Sequence, residues 1–345
     1  MTQRNSATGS SSQALAKLIW PVIALLALLL MNAFFNRAFF SFAIVDGHLS
    51  GTLVNVLERA APIILCALGM TLVIGTGGVD LSVGAIMAMA GAMAAYLVSQ
   101  QGLHPSLALA AALVVSLFAG AWNGLLVSLF RVQPIVATLI LMVAGRGIAQ
   151  LITDGQIITV SDPTMLYIGG GYFMGLPIAV SVAAIAYVLT VVLTRHTALG
   201  LFIESIGDNE TASRYAGLNV RLIKFLVYVF CGLCAGVAGL LYMADNTGAD
   251  ANNAGLYMEL DAILSVVIGG TALTGGRFYL VGSIIGGLII QTLTTTILMI
   301  KLFGQSIQPD YNLVVKAIVV LAVCLLQSET FRGMVFSRRR WRTAR

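Results

Sequence analysis

Charged side chains inside apolar stretches are where this chain could do chemistry, and there are few of them: Glu58, Arg59, Asp80, Arg146, Glu259, Asp261 and Lys316. An ionisable group at hydrocarbon depth is costly and marks a solute route, a relay or a structural pair. Glu58 and Arg59 read as an outer helix end, Glu259 and Asp261 as the first turn of a span, and Lys316 as a side chain that snorkels to the interface. Asp80 lies in Gly75-Thr-Gly-Gly-Val-Asp-Leu-Ser-Val-Gly84, and Arg146 in Gly145-Arg-Gly147, where glycines let neighbouring backbone close around a charge. For these two an internal ion pair, a helix-end contact and a solute contact all stay open. Ser82 belongs to the same break as Asp80, and Asn123, Gln133, Thr138 and Gln150 add amides and a hydroxyl farther on. Such groups either line a route for a neutral, hydroxyl-rich solute or bond helix to helix.

Several kinds of chemistry have no residues to carry them. No Gly-x-x-x-x-Gly-Lys-[Ser/Thr] occurs, and none of the lysines Lys17, Lys224, Lys301 and Lys316 follows a glycine, so the chain has no P-loop with which to hydrolyse ATP. There is no His-Glu-x-x-His, no Cys/His cluster at metal spacing and no nucleophile elbow, so no enzyme, cofactor or metal site is expected. Cys66, Cys231, Cys234 and Cys324 all lie in apolar runs. Cys231-Gly-Leu-Cys234 has redox spacing but no polar neighbours, and it reads as packing.

The elements that must hold these residues are membrane helices. The chain is 59% hydrophobic and 10% charged, against about 25% charged in a soluble domain. It is therefore expected to be all-α, a polytopic integral membrane bundle of about ten transmembrane segments with glycine-interrupted helices. Spans are expected near 18–36, 55–74, 81–99, 106–130, 134–153, 177–194, 222–244, 260–271, 280–300 and 311–328. Residues 1–17 form an N-terminal tail, 18–328 one transmembrane domain, and 329–345 an Arg-rich tail. The first span follows Lys17 with no cleavage pattern and reads as uncleaved. The net charge of +5 sits beside apolar spans, which points to topology and anionic lipid rather than nucleic acid. An even number of spans with basic residues inside places both termini in the cytoplasm. The stretches 153–176 and 245–257 then face outward. The outer segment Asp250 to Asp261 is richer in polar groups than its neighbours, and Asp250, Asn252, Asn253 and Glu259 are expected to gate an outer mouth or to meet an external partner. A second glycine-rich break, Ile268-Gly-Gly-Thr-Ala-Leu-Thr-Gly-Gly-Arg277, mirrors the one at Gly75, as in an internally duplicated transporter whose broken helices line a cavity.

Between basic flanks lies a polar, helix-forming island, Ile203-Glu-Ser-Ile-Gly-Asp-Asn-Glu-Thr-Ala-Ser-Arg-Tyr-Ala-Gly-Leu-Asn-Val220. Asp208 or Asn209 can cap a short helix, Ala212 and Ala216 fall on one face, and Gly217 can end the helix left-handed. A small face of this kind suits close approach by a cytoplasmic partner.

With the island, the break at Gly75 and the absence of an ATP site, the chain resembles the permease subunits of bacterial sugar ABC importers of the ribose class. The resemblance rests on Gly69-Met-Thr-Leu-Val-Ile-Gly-Thr-Gly-Gly-Val-Asp-Leu-Ser-Val-Gly84, Trp122-Asn-Gly124 and Ile203 to Val220, and covers residues from about Leu57 to Gln327. Gln133 to Gln150 and Gly248 to Leu256 look most like the galactofuranose permeases. The resemblance implies a bacterial inner-membrane location, two ABC ATPase subunits carrying ATP and Mg, a periplasmic sugar-binding protein, and a second permease copy or paralogue. It implies that residues 195–221 couple to the ATPase through Glu204, Gly207, Asp208, Asn209, Ala212, Arg214, Ala216 and Gly217. Asp80, Ser82, Asn123, Gln133, Thr138, Arg146 and Gln150 are the expected pathway residues. An ion-coupled sugar transporter or facilitator using Asp80 is the alternative from another class.

Overall fold

The structure, a computed structural model, describes residues 6–35, 37–45, 48–299, 301–302, 305–306, 314, 316–318 and 321. Its helices are α1 (Ser6–Phe35), α2 (Thr52–Gly75), α3 (Val83–Ala95), α4 (Pro105–Ser128), α5 (Pro134–Ile152), α6 (Pro163–Gly170), α7 (Ile178–Arg195), α8 (Leu199–Asp208), α9 (Glu210–Tyr215), α10 (Val220–Asp245), α11 (Met258–Ile268) and α12 (Leu280–Met299). A π-helical turn over Tyr96–Gln100 prolongs α3. Among the described residues, seven helices are long and apolar enough to cross a membrane: α2, α3 with its prolongation, α4, α5, α7, α10 and α12.

The expected ten spans are corrected in two places. The helix at 260–271 is only 11 residues long as α11, about 16 Å and so roughly half a hydrocarbon core. The first helix begins at Ser6 rather than near Leu18, with an apolar stretch over Leu18–Phe34. Most of the expected span 311–328 and the tail 329–345 lie outside the described residues.

Helix α10 is the axis of the bundle and packs against α2, α3 and α4. The crossing with α4 is close because Gly232 faces Gly120: a Cβ on Gly232 would stand 2.7 Å from both the Gly120 Cα and the Ser116 carbonyl oxygen. Small residues at a crossing let backbones approach and dispersion replace a hydrophobic drive that lipid does not supply. The outward faces of α4, α5 and α7 carry exposed Phe118, Leu139, Val143, Ile185 and Val188.

The two glycine-rich breaks fall where the sequence placed them, at 76–82 between α2 and α3 and at 269–279 between α11 and α12. They meet each other. The Gly276 amide donates to the Gly75 carbonyl at 3.0 Å, and the Thr71 and Ser283 hydroxyls, 2.7 Å apart, tie α2 to α12. At the opposite end, Ile158–Thr159 pairs antiparallel with Gly248–Ala249, so the stretches 153–176 and 245–257 share one side. Asp162 caps α6 by accepting from the amides of Thr164 at 2.8 Å and Met165 at 3.2 Å.

Lys316 does not snorkel. Its ammonium donates to both Asp261 carboxylate oxygens, at 2.9 and 3.0 Å, and the residue is 8% exposed. The pair fixes the start of the short α11, which has too few turns to be stable alone. Removing one partner leaves a buried charge, at a cost on the order of 3 kcal/mol, whereas replacing both with apolar groups is close to neutral. Accordingly, Asp261→Ala should lower the thermal unfolding midpoint of the detergent-solubilised protein, and Asp261→Leu combined with Lys316→Met should recover most of the loss.

Candidate coupling surface and polar clusters

The island folds as two short helices. In α8 the apolar side chains Ile203 and Ile206 are buried, while Glu204 pairs with Arg195 at 3.7 Å. Arg195 is held in turn by the Phe278 carbonyl at 3.3 Å and lies over the Phe278 ring. Of the two possible caps, Asn209 is used: its side-chain oxygen accepts from the Ala212 amide at 2.9 Å. Asp208 ends α8 and is exposed. The Ser205 and Ser213 hydroxyls, 2.8 Å apart, brace the helices together. Gly217, at φ +87°, stops α9 in the left-handed region that its missing Cβ permits.

Glu210 anchors α9 to the base of α10. It accepts from Lys224 at 2.6 Å and from Arg214 at 2.8 Å. The Lys224 hydrogen bond is the main reason its carboxyl is held below the usual carboxylate range, with the charges of Lys224 and Arg214 adding to it and partial burial opposing.

Ala212 and Ala216 are both exposed, four residues apart as expected, and form a small face. Between them Tyr215 stands out at 88% exposure, a large aromatic with nothing covering it. The sequence reading passed over Tyr215, although an aromatic between two alanines in a polar island was its signal. Gly207 needs correction. Expected to face a partner, it is instead half-buried against the protein's own backbone, where a Cβ would collide with the Gly75 carbonyl oxygen and the Gly276 amide. Helix α8 thus rests by its glycine on the joint between the two breaks.

The expected pathway residues do not form one line. Asp80, Ser82, Asn123 and Thr138 cluster at the first break and are fully buried. The Asp80 Oδ1 accepts from the Ser82 amide at 2.9 Å and the Ser82 hydroxyl at 2.6 Å. Asn123 donates to the Ser82 hydroxyl at 2.8 Å and, more weakly, to Asp80 Oδ1 at 3.4 Å. Thr138 accepts from the Leu81 amide at 3.1 Å. No side chain caps α3, but these bonds fix the turn before it and place a carboxylate near its positive end, so Asp80 makes a helix-end contact. Among the described residues, the Asp80 Oδ2 and the Asn123 Oδ1 have no hydrogen-bond partner.

Arg146 and Gln150, one turn apart on α5, form a second group. The Arg146 guanidinium donates to the carbonyls of Ala251, at 3.0 Å, and Ala254, and Gln150 donates to Asn252 at 2.8 Å. They are clamps on the 250–255 loop. Asp250 folds that loop on itself by accepting from the Asn252 and Asn253 amides at 2.9 and 3.2 Å and from the Asn253 side chain at 2.7 Å. Glu259, expected at an outer mouth, is partly buried against the start of α3, where a Cβ on Gly84 would lie 2.7 Å from its Oε2. Gln133 is exposed at the start of α5 on the side that carries α9, and belongs to neither group.

A cleft of about 440 Å³ between α2, α10, α11 and α12 was not anticipated; Asn55, Glu58, Arg59, Tyr242, Gln291 and Thr295 are among its walls. Gln291, Thr294 and Thr295 lie at helical spacing on α12, a polar stripe that the apolar runs around it obscured.

Comparison with known proteins follows this geometry. The family described as branched-chain amino acid transport system / permease component matches residues 52–324. The galactofuranose transporter permease protein YtfT of Escherichia coli (strain K12) is 50% identical over 321 residues, 92% of each chain. The fructose import permease protein FruF of Bifidobacterium longum (strain NCC 2705) is 37% identical over 333 residues, 95% of this chain and 92% of that one. The ribose import permease protein RbsC of Escherichia coli (strain K12) is 36% identical over 312 residues, 89% of this chain and 92% of that one. No solved structure matches the chain significantly.

The Glu210 contacts set a pH dependence of known sign. A carboxyl held below its unfolded value contributes stability above the unfolded pKa of about 4.3, and that contribution is lost as pH falls through the folded value. A spin label at Thr211 should therefore keep constant mobility from neutral pH down to about pH 5 and loosen below about pH 4. Glu210→Gln should be mobile throughout, with no such transition.

Proposed function

Because the chain belongs to the branched-chain amino acid transport system / permease component family, we propose that it is the membrane-spanning permease subunit of an ATP-driven monosaccharide importer whose cargo is galactofuranose. It is a multi-pass membrane protein and a permease subunit rather than an enzyme. The cargo is carried by one observation: half of its residues match a galactofuranose transporter permease along nearly the whole of both chains, against 37% and 36% for the fructose and ribose import permeases.

In this reading ATP and Mg are bound by separate ATPase subunits, and the exposed face of Ala212, Tyr215 and Ala216 seats in a groove on them. That face lies in the cytoplasm together with both termini, the membrane is the bacterial inner membrane, and a periplasmic sugar-binding protein delivers cargo to the other side. A second permease copy or a paralogue completes the pathway.

The geometry supports a physical route for coupling. α8 carries the coupling face through the Ser205–Ser213 contact and at Gly207 bears on Gly75, the last residue of α2, and on Gly276 within the second break. When the ATPases close, a displacement of α9 reaches the junctions of α2 with its break and of the second break with α12, without crossing a deformable layer. Packed junctions of this kind switch between discrete arrangements rather than bending gradually. Nucleotide supplies the free energy, and the permease supplies two states that differ in their contacts with the ATPase and with cargo.

Co-purification with the ATPase and uptake in proteoliposomes test the reading. Ala212→Trp, Ala216→Trp and Tyr215→Ala should each reduce ATPase retention and ATP-driven uptake by about ten-fold while leaving the permease folded. Galactofuranose uptake should persist when proton and sodium gradients are collapsed and stop when ATP is withheld. Uptake that follows an ion gradient and ignores all three substitutions would overturn it.

A further inference from the structure

A basic pocket opens beside α9, between the turn joining α4 to α5 and the first turn of α10. Its volume is about 220 Å³, and Arg131, Arg214, Arg221 and Lys224 line it with Glu210, its one carboxylate. Glu210 already engages Arg214 and Lys224. Arg131 and Arg221, both exposed, have no ion pair or hydrogen bond from their side chains among the described residues, so two guanidinium groups from separate elements line one concavity beyond those that Glu210 engages. Arg131 sits there at φ +55°, a left-handed backbone conformation that is costly for a non-glycine residue and persists where its surroundings enforce it.

The rim of the pocket identifies what it takes. Leu129 and Phe130 precede Arg131 in the turn after α4, and both are exposed and apolar. Ile135 and Val136, beyond Gln133 and Pro134 in the pocket wall, are exposed as well. The basic concavity therefore lies where apolar surface gives way to the polar end of the bundle, the level of lipid headgroups. An acidic protein side chain would need no apolar rim, and a free phosphate would gain nothing from it. We propose that this pocket binds the phosphodiester headgroup of an anionic phospholipid, with Arg131 and Arg221 on the phosphate and the acyl chains against Leu129, Phe130, Ile135 and Val136. Because Glu210 and Arg214 form the wall toward α9, a bound headgroup braces the coupling segment from the side, leaving the Ala212–Tyr215–Ala216 face free.

The inference needs the membrane orientation but not the identity of the cargo, and it can be tested apart from transport. The intact permease is reconstituted in nanodiscs of phosphatidylcholine with or without phosphatidylglycerol. Retained lipid is then counted by native mass spectrometry, and the unfolding midpoint is measured in parallel. Wild type should keep phosphatidylglycerol in preference to phosphatidylcholine and be stabilised by it. Arg131→Gln with Arg221→Gln should reduce that preference by roughly 25-fold, about a factor of five for each basic side chain lost at a membrane surface. Arg277→Gln, a change away from the pocket, should not. Equal phosphatidylglycerol retention by wild type and the double variant overturns the proposal. So does equal stabilisation in phosphatidylcholine discs by inorganic phosphate, which would assign the pocket to a free anion. Loss of ATPase binding by the double variant in either lipid, with lipid retention unchanged, would assign it to an acidic side chain of the ATPase.

Discussion

Backbone amides and carbonyls at membrane depth must find partners inside the protein, because hydrocarbon offers none. This chain interrupts its helices twice in the interior, and much of its arrangement follows from meeting that demand. At the first break Gly77 and Gly78 donate back to Ile74 and Val73, the Leu81 amide finds the Thr138 hydroxyl, and the Ser82 amide finds Asp80. At the second, the Tyr279 amide finds the Thr271 hydroxyl at 3.1 Å and the Gly276 amide finds Gly75. Asp80, Thr138 and Thr271 supply these partners and so have structural duties that composition alone would not assign to them. A lost interior bond of this kind costs about 1–3 kcal/mol, a large fraction of a typical folding free energy.

The same demand explains why α8 sits where it does. Interruptions packed against one another form a compact joint at one end of the bundle, and a helix carrying a glycine can seat on that joint without separating it. At the other end the 250–255 loop is clamped by Arg146 and Gln150 onto α5, and the short α11 follows it. The interruptions thus divide the bundle into segments that meet at defined seams, with α10 as the common surface they share.

The sequence made much of this legible. Apolar runs located the helices, basic residues bracketed the island, and glycine pairs located both breaks, because each of these signals is local. It was less informative where a residue's role depends on a distant partner. Lys316 read as snorkelling because its neighbours are apolar, and only the fold brings Asp261 to it across 55 positions. Gly207 read as a docking residue because it lies in a docking helix, yet its lack of a side chain serves Gly75 and Gly276. Gln133 and Gln150 share one helix and looked equivalent, but they lie near its opposite ends. Tyr215 was visible but unremarkable until its exposure was known, and the polar stripe of α12 was hidden by the hydrophobicity around it.

The seating of Gly207 also bears on how modular such a permease is. A segment that only touched a partner could be transplanted between relatives as a cassette of residues 195–221. Here the cassette has a footprint inside the membrane domain, at Gly75 and at Gly275–Gly276, so the graft would have to carry that floor with it. Change in partner preference is then constrained on two sides at once: the outer surface of α9 can drift with whatever it docks on, while the underside of α8 stays matched to the joint beneath it.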